Sequence, residues 1–211
     1  MTMNIHERIN PATTALVVVD MQNDFCSPGG YLDKLGADLT AVEPTARQIA
    51  RLLDSARSAG VKVVHIQSWF DGKYLNRPML ERLERFNIEP YCVSGSWGAD
   101  FIDDLKPLEG EEVVVKHTYS AFQKTRLDDV LRDAGISTVV LCGTATNNCV
   151  DGTGRDAFYA GYHVVLAPDA ACAPTAALHE HAIATAKHAY AVIAEVAEIE
   201  AAWAVTVNAS Q

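Results

Sequence analysis

Short apolar runs recur along the chain, and polar or helix-like segments separate each run from the next. They cover residues 15–19, 61–66, 112–116, 138–142 and 162–167, with a shorter run at 191–193. Runs that are mostly apolar, without alternation between polar and apolar positions, indicate strands that are buried on both faces, as in a parallel sheet.

The segments between these runs predict helices. Residues 36–40 lead into a helix that runs to about Ser58, because Ile49, Leu52, Leu53 and Ala56 follow the helical spacing and Gly60 ends it. Further helices are predicted over residues 77–85, 126–134, 150–159 and 175–190, and the Ala-rich stretch through Trp203 is helical or ragged. Strands that alternate with helices predict an α/β fold with a parallel sheet covered on both faces.

The composition narrows the class of protein. The chain has 211 residues without a Pro/Gly/Ser-rich linker, which predicts a single domain over residues 14–211 after an N-terminal tail, residues 1–13. A net charge of −10, with dispersed acidic residues, argues against nucleic-acid binding. The apolar runs are too short to span a membrane. Five widely spaced cysteines and no apolar leader predict free thiols and a cytoplasmic location.

Three reactive residues come at or after the ends of predicted strands. Asp20 closes the first run, Lys116 closes the third, and Cys149 follows a polar loop after the fourth. Because the carboxyl ends of parallel strands meet at one edge of a sheet, where ligands bind, we expect these side chains to converge. Each of these residues also has a purely structural interpretation. Asp20 would cap a turn, Lys116 would be a solvated surface group, and Cys149 would be a small buried hydrophobic residue.

Cys149 lies where a strand ends and a helix begins. The free N–H groups and dipole of a helix N-terminus stabilise a thiolate and offer donors to an oxyanion. Cys142, inside the apolar run, instead fits a packed core residue. Cys149 is therefore the candidate nucleophile.

Together these residues resemble the isochorismatase-like cysteine hydrolases, which include nicotinamidases, N-carbamoylsarcosine amidohydrolase, ureidoacrylate amidohydrolase and biuret hydrolase. The resemblance covers residues 16–196 and depends on VVVDMQNDF around Asp20, VVK ending at Lys116 and GTATNNCV around Cys149. It implies a Rossmann-like three-layer α/β/α sandwich with a six-stranded parallel sheet, and a catalytic triad of Asp20, Lys116 and Cys149. It also implies a cis peptide before Ala145 and an oxyanion hole made by the N–H groups of Ala145 and Cys149.

Within that family, SPGGYLD, GTATN and YSAF are most similar to the ureidoacrylate and biuret branch, so we expect hydrolysis of a C–N bond. Nicotinamidases hold a metal with histidines after the second strand, but QSWFDG has none here, and His65 is expected to be a core residue. The sequence therefore predicts no metal and no cofactor. The expected substrate contacts are Gln67, Ser68, Phe70, Tyr119 and Phe122, with Trp69 as an alternative to Gln67.

Other interpretations remain open at this point. The long aromatic region, residues 67–97, is typical of a binding lid or of an oligomer contact, and Trp69 and Trp97 fit either role. Asn147 and Asn148 either contact substrate or satisfy loop carbonyls, and Arg155 is expected to pair with an acidic neighbour.

The expected partner is a small amide or ureido substrate, and a homo-oligomer, dimer or tetramer, is also expected. The functional alternatives are a hydrolase of a larger or cyclic amide or of a vinyl ether, and a non-catalytic oligomeric module.

Overall fold

One six-stranded sheet organises the part of the chain that the structure describes. The computed structural model describes residues 4–209, with side chains described for residues 4–204. The strands are β1 (Thr14–Val19), β2 (Lys62–Ser68), β3 (Glu112–Lys116), β4 (Thr138–Thr144), β5 (His163–Cys172) and β6 (Ala191–Ile193). All neighbouring strands run parallel, in the order β3-β2-β1-β4-β5-β6. The predicted parallel sheet is confirmed.

Helices and helical turns connect the strands. The helices are α1 (Ile5–Arg8), α2 (Asn23–Cys26), α3 (Tyr31–Lys34), α4 (Val42–Ala59), α5 (Arg77–Arg85), α6 (Leu127–Asp133), α7 (Asp151–Tyr159), α8 (Ala176–Ala189) and α9 (Val196–Ala209). Short 3₁₀ turns cover Pro11–Thr13, Trp97–Ala99 and Asp103–Leu105, and one π-helical turn covers Thr146–Val150. The stretch predicted as helical or ragged is the helix α9.

Successive side chains of each strand enter opposite layers of the fold, because the side-chain period of a strand is two. Leu16 and Val18 of β1 belong to the core under α4 and α9, whereas Val17 and Val19 belong to the core under α6, α7 and α8. Burial on both faces explains why β1 is an uninterrupted apolar run. The three-layer α/β/α sandwich is confirmed.

Gly143 allows the two central strands to approach each other. Its φ is +114°, and a Cβ built there would lie 2.1 Å from the Val19 carbonyl oxygen. A side chain at this position would separate β1 from β4 at the end of the sheet where the candidate residues lie. The strand order also reverses between β1 and β4, which is where α/β proteins place their ligands.

The predicted tail, residues 1–13, belongs to the folded structure from Asn4 onward. Asn4 caps α1 with a capping box, Ile9 is buried, and the Trp203 indole N–H donates a hydrogen bond of 3.0 Å to the Ile9 carbonyl. Burial of Ile9 under α9 is the physical reason that a tail is the wrong description for residues 4–13. Residues 1–3 lie outside the described part of the chain.

No helix among residues 4–209 combines the length and the apolar character that a membrane crossing requires. All five cysteines are free and buried.

Candidate active site

Asp20, Lys116 and Cys149 meet at the carboxyl edge of the sheet. Asp20 follows β1 with a left-handed backbone (φ 53°), Lys116 ends β3, and Cys149 lies in the π-helical turn after β4. Lys116 Nζ lies 2.7 Å from Asp20 Oδ2 and 3.3 Å from Cys149 Sγ. The prediction that these three side chains lie close together is confirmed.

Ser68 bridges two of these residues. It ends β2, the strand between β1 and β3, and its Cα pairs in register with that of Lys116. Its hydroxyl donates to Asp20 Oδ1 at 3.0 Å and accepts from Lys116 Nζ at 2.8 Å. This contact fixes the carboxylate and the ammonium relative to each other across two strands.

Lys116 is fully buried, which a lysine tolerates only with compensating partners. Besides Asp20 and Ser68, its ammonium donates to the Thr118 carbonyl at 3.1 Å and lies 5.3 Å from the centre of the Phe70 ring. Burial alone would lower the pKa of Lys116, but the charge of the Asp20 carboxylate and the contacts with Asp20 and Cys149 outweigh it and raise that pKa. The side chain is therefore an ammonium.

Burial of Cys149 opposes the thiolate that a position before a helix favours. Burial raises the pKa of Cys149 to about 12, since it outweighs the lowering by the Lys116 ammonium, and the Asp20 carboxylate raises the pKa further. Nucleophilic attack therefore requires a base, and Asp20 contacts the thiol.

A cavity of about 210 Å³ opens onto this cluster. It is smaller than the roughly 300–1,000 Å³ of pockets for drug-sized ligands, so it suits a small molecule. Its lining contains aromatic, polar and charged side chains: Asp20, Phe25, Tyr31, Leu32, Leu35, Phe70, Arg82, Tyr91, Tyr119, Thr144, Ala145, Asn147, Asn148, Cys149 and Pro174.

Two of the five predicted substrate contacts, Phe70 and Tyr119, line the cavity. The other three do not. Ser68 is buried behind Asp20 and Lys116, and the Gln67 amide donates to the Ala99 carbonyl at 2.8 Å. Phe122 packs in the core under the helices, with its ring 5.9 Å from that of Tyr162.

The cavity wall also holds residues that sequence reasoning missed, among them Tyr31, Arg82 and Tyr91. The rings of Tyr31 and Tyr91 stack with centroids 4.1 Å apart, and the ring of Phe70 meets that of Tyr91 edge-on at 5.1 Å. The many aromatic residues between positions 67 and 97 indicate part of this wall from the sequence. Tyr31 lies 60 residues earlier than Tyr91 in the chain and needed the tertiary structure.

Three consecutive polar residues after β1 hold the aromatic region in place. Gln22 donates to the Ala99 carbonyl at 2.8 Å, and Asn23 donates to the Trp97 carbonyl at 2.8 Å. The Asp24 carboxylate accepts from the N–H of Cys92 at 2.6 Å and from that of Tyr31 at 3.1 Å. These side chains stabilise the loop that carries Tyr91 above the candidate nucleophile.

Ala145 and Cys149 both line the cavity, and the peptide bond between Thr144 and Ala145 is cis, as the resemblance implies. The Ala145 carbonyl accepts from the N–H groups of Asn148 and Val150 at the start of the π-helical turn. The oxyanion hole itself stays a prediction.

Four further residues of interest lie outside the cavity lining: His65, Trp69, Trp97 and Arg155. His65 is buried, with Nε2 3.0 Å from Glu111, so it is a core residue, and Arg155 pairs with Asp151 at 2.7 Å. Trp69 is half-buried and Trp97 is exposed, and neither lines the cavity. Among the described residues no three His, Cys, Asp or Glu side chains group as a metal site; the prediction that no metal binds stays a prediction.

Comparisons with known proteins show what this chain is similar to. The model of the isochorismatase domain matches residues 14–198. The ureidoacrylate amidohydrolase RutB of Methylobacterium radiotolerans is 37% identical over 208 residues, which cover 92% of this chain and 81% of that protein.

Two solved structures are also similar. A cysteine hydrolase from Pseudomonas syringae pv. phaseolicola has a TM-score of 0.84 at 29% identity, covering 94% of this chain and 96% of its own. N-carbamoylsarcosine amidase from Thermoplasma acidophilum has a TM-score of 0.72 at 28% identity, covering 89% and 99% of the two chains.

Proposed function

The chain belongs to the isochorismatase family, and from this premise and the geometry of its cavity we propose that it is a cysteine-dependent amidohydrolase. Its substrate is a small ureido, carbamoyl or primary amide compound, from which it releases ammonia. The observation that carries the proposal is the contact of Lys116 Nζ with both Asp20 and Cys149 at the base of a small cavity. Similar proteins that are named as amidohydrolases and an amidase support the reaction class.

Asp20 acts as the base in the first step. It takes the proton from Cys149 as the sulfur forms a bond to the carbonyl carbon, because a thiol with a pKa of about 12 is not ionised beforehand. Lys116 stays positively charged, so it balances the Asp20 carboxylate before the transfer and the partial negative charge on the attacking sulfur during it.

The tetrahedral intermediate carries an oxyanion that the N–H groups of Ala145 and Cys149 stabilise. One such donor contributes about 3 kcal/mol to transition-state stabilisation in other hydrolases. Asp20 then returns its proton to the departing nitrogen as the C–N bond breaks, which leaves a thioester. A water molecule, deprotonated by Asp20, cleaves the thioester and restores the Cys149 thiol.

The environment of Asn147 favours a substrate that carries N–H groups. Its side chain lines the cavity, and its buried Oδ1 has no hydrogen-bond partner among the described residues. An unsatisfied buried acceptor is costly, and a ureido or carbamoyl N–H would satisfy it.

We also infer a cytoplasmic, homo-oligomeric enzyme. Five free cysteines support a reducing compartment, and the exposed aromatic side chains of Phe86, Trp97 and Tyr159 support a contact between subunits. Light scattering coupled to size-exclusion chromatography tests the oligomer, and a monomer at micromolar concentration would contradict it.

An ammonia-release screen tests the proposed function. The substrates are biuret, ureidoacrylate, N-carbamoyl amino acids, nicotinamide and maleamate, each with the wild type, Cys149→Ala and Asp20→Ala. We expect release from at least one ureido or carbamoyl compound by the wild type and from none by either variant, with circular dichroism showing that the variants fold. Full activity in either variant refutes the catalytic assignment.

A further inference from the structure

Arg82 gives the cavity a positive charge that no carboxylate of the described residues neutralises. It lies on α5, is half-buried and lines the cavity. Its helix neighbour Arg77 pairs with Glu81 at 2.7 Å, whereas no ion pair within residues 4–204 includes Arg82. The Arg82 guanidinium lies 5.8 Å from the centre of the Phe86 ring.

The other charges at the cavity already compensate each other. Asp20 and Arg82 are the charged residues of the cavity lining, and Asp20 is paired with Lys116 at 2.7 Å. A partly buried charge without a partner is unfavourable, and a cavity of one sign attracts ligands of the other. The chain has a net charge of −10, but the Arg82 guanidinium, unpaired among the described residues, favours an anionic ligand in this cavity.

Two tyrosine side chains lie close to Arg82, and one of them is also close to the candidate nucleophile. Tyr91 lies within electrostatic range of both Arg82 and Cys149, and Tyr31, stacked on Tyr91, is also close to Arg82. Burial raises the pKa of Tyr31 and Tyr91, so both stay neutral donors. Arg82 and Cys149 therefore line the same small cavity, together with Tyr31 and Tyr91.

We propose that Arg82 binds a carboxylate of the substrate, so that the enzyme acts on small ureido or carbamoyl acids in preference to neutral amides. The inference rests on the proposed hydrolysis at Cys149 and specifies its substrate class. A guanidinium binds a carboxylate through two parallel hydrogen bonds, which orients the molecule as well as attracting it. The carbamoyl group then points at Cys149.

The kinetic test compares ureidoacrylate with its methyl ester, which has lost the charge but keeps the ureido group. Ammonia release is measured for the wild type, Arg82→Gln, Arg82→Lys and the control Arg85→Gln. Arg85 suits as a control because it is exposed on the same helix, contacts the same Phe86 ring and does not line the cavity.

We expect Arg82→Gln to lower kcat/KM for ureidoacrylate about 10- to 100-fold, the effect of one charged hydrogen-bonded contact, and to leave the ester unchanged. Arg82→Lys should retain part of the activity, and Arg85→Gln all of it. Equal losses on both substrates, or no loss on either, overturn the inference.

A binding measurement separates this inference from the proposed function. Calorimetry gives the Kd of ureidoacrylate for Cys149→Ala and for the double variant Cys149→Ala/Arg82→Gln. We expect binding to the former and at least about tenfold weaker binding to the latter. If the wild type releases no ammonia but this difference is found, the hydrolysis is wrong and the carboxylate site stands. Equal or absent binding in both variants overturns the carboxylate site.

Discussion

The Ser68 hydroxyl donates a hydrogen bond of 3.0 Å to the Asp20 carboxylate, and both side chains are fully buried. Ser68 lies on the strand next to the one that Asp20 follows, and it does not line the cavity. Its role is therefore to position the carboxylate and the Lys116 ammonium, not to contact the substrate.

The variant Ser68→Ala should lower kcat about tenfold and leave KM nearly unchanged, because one hydrogen bond to a charged group is lost away from the substrate. Steady-state kinetics on the best substrate of the ammonia screen measures both constants. A raised KM at unchanged kcat would instead support the substrate contact that the sequence predicts for Ser68.

Alkylation of Cys149 by iodoacetamide should accelerate about tenfold per pH unit between pH 7 and 9, because the thiol pKa of about 12 lies above this range. The Asp20 carboxylate raises that pKa, so Asp20→Asn should lower it and speed alkylation while it abolishes hydrolysis. Peptide mapping by mass spectrometry follows the label.

Cys142 serves as the internal control for this labelling, since it is fully buried inside β4 and does not line the cavity. It should stay unlabelled in the folded protein. Slower labelling of Cys149 in Asp20→Asn, or equal labelling of the two cysteines, would show that the electrostatic assignment is wrong.

The protein should lose stability in acid through His65 and Glu111. Burial lowers the pKa of His65, against the opposing effect of Glu111. Burial alone would raise the pKa of Glu111, but hydrogen bonds from Arg57, the Leu108 N–H and His65 lower it to about 2. Both groups bind protons more readily in the unfolded chain, so the free energy of unfolding falls as pH falls.

The histidine contribution is lost below about pH 6.5 and the carboxylate contribution below about pH 4.5, the ordinary values of the two groups. Urea unfolding at pH 7, 6 and 5 measures the loss. We expect a smaller loss for His65→Phe than for the wild type, and an unchanged loss for the exposed control His181→Gln. An identical pH dependence in His65→Phe would contradict the prediction.

Gly98→Ala should destabilise the wall of the cavity. A Cβ at Gly98 would lie 2.2 Å from Asp24 Oδ2, and Asp24 holds the N–H groups of Cys92 and Tyr31. We expect a loss of about 1–3 kcal/mol, as for overpacked cores, together with a raised KM because Tyr31 and Tyr91 shift. Thermal unfolding and steady-state kinetics measure these effects.

Gly72→Ala is the matched control, because its Cβ would meet the nearest atom at 3.9 Å, an ordinary contact. It should change the melting temperature and KM little. A Gly98→Ala protein indistinguishable from this control would mean that Asp24 does not hold the wall.

The apolar runs and the polar residues that follow them are enough to predict the sheet and the three reactive positions at its edge. Strands buried on both faces must be continuously apolar, as β1 is, and polar residues at their ends must then meet at one edge. For that reason the sequence alone predicts that Asp20, Lys116 and Cys149 meet at one edge, as they do. The ends of elements were less accurate: β5 continues to Cys172, past the predicted end at residue 167, because hydrogen bonding to β4 and not local composition decides where a strand ends.

Which side chains line the cavity, and how their pKa values shift, depends on contacts between residues that are distant in the sequence. Ser68, Phe70 and Tyr119 are all near reactive residues in sequence, but Ser68 is enclosed behind them while the other two line the cavity. Arg82 comes to that cavity from a helix far along the chain from Cys149. The raised pKa of Cys149 likewise depends on exclusion of water and on charges from other strands. Both depend on distance in space and not on order along the chain.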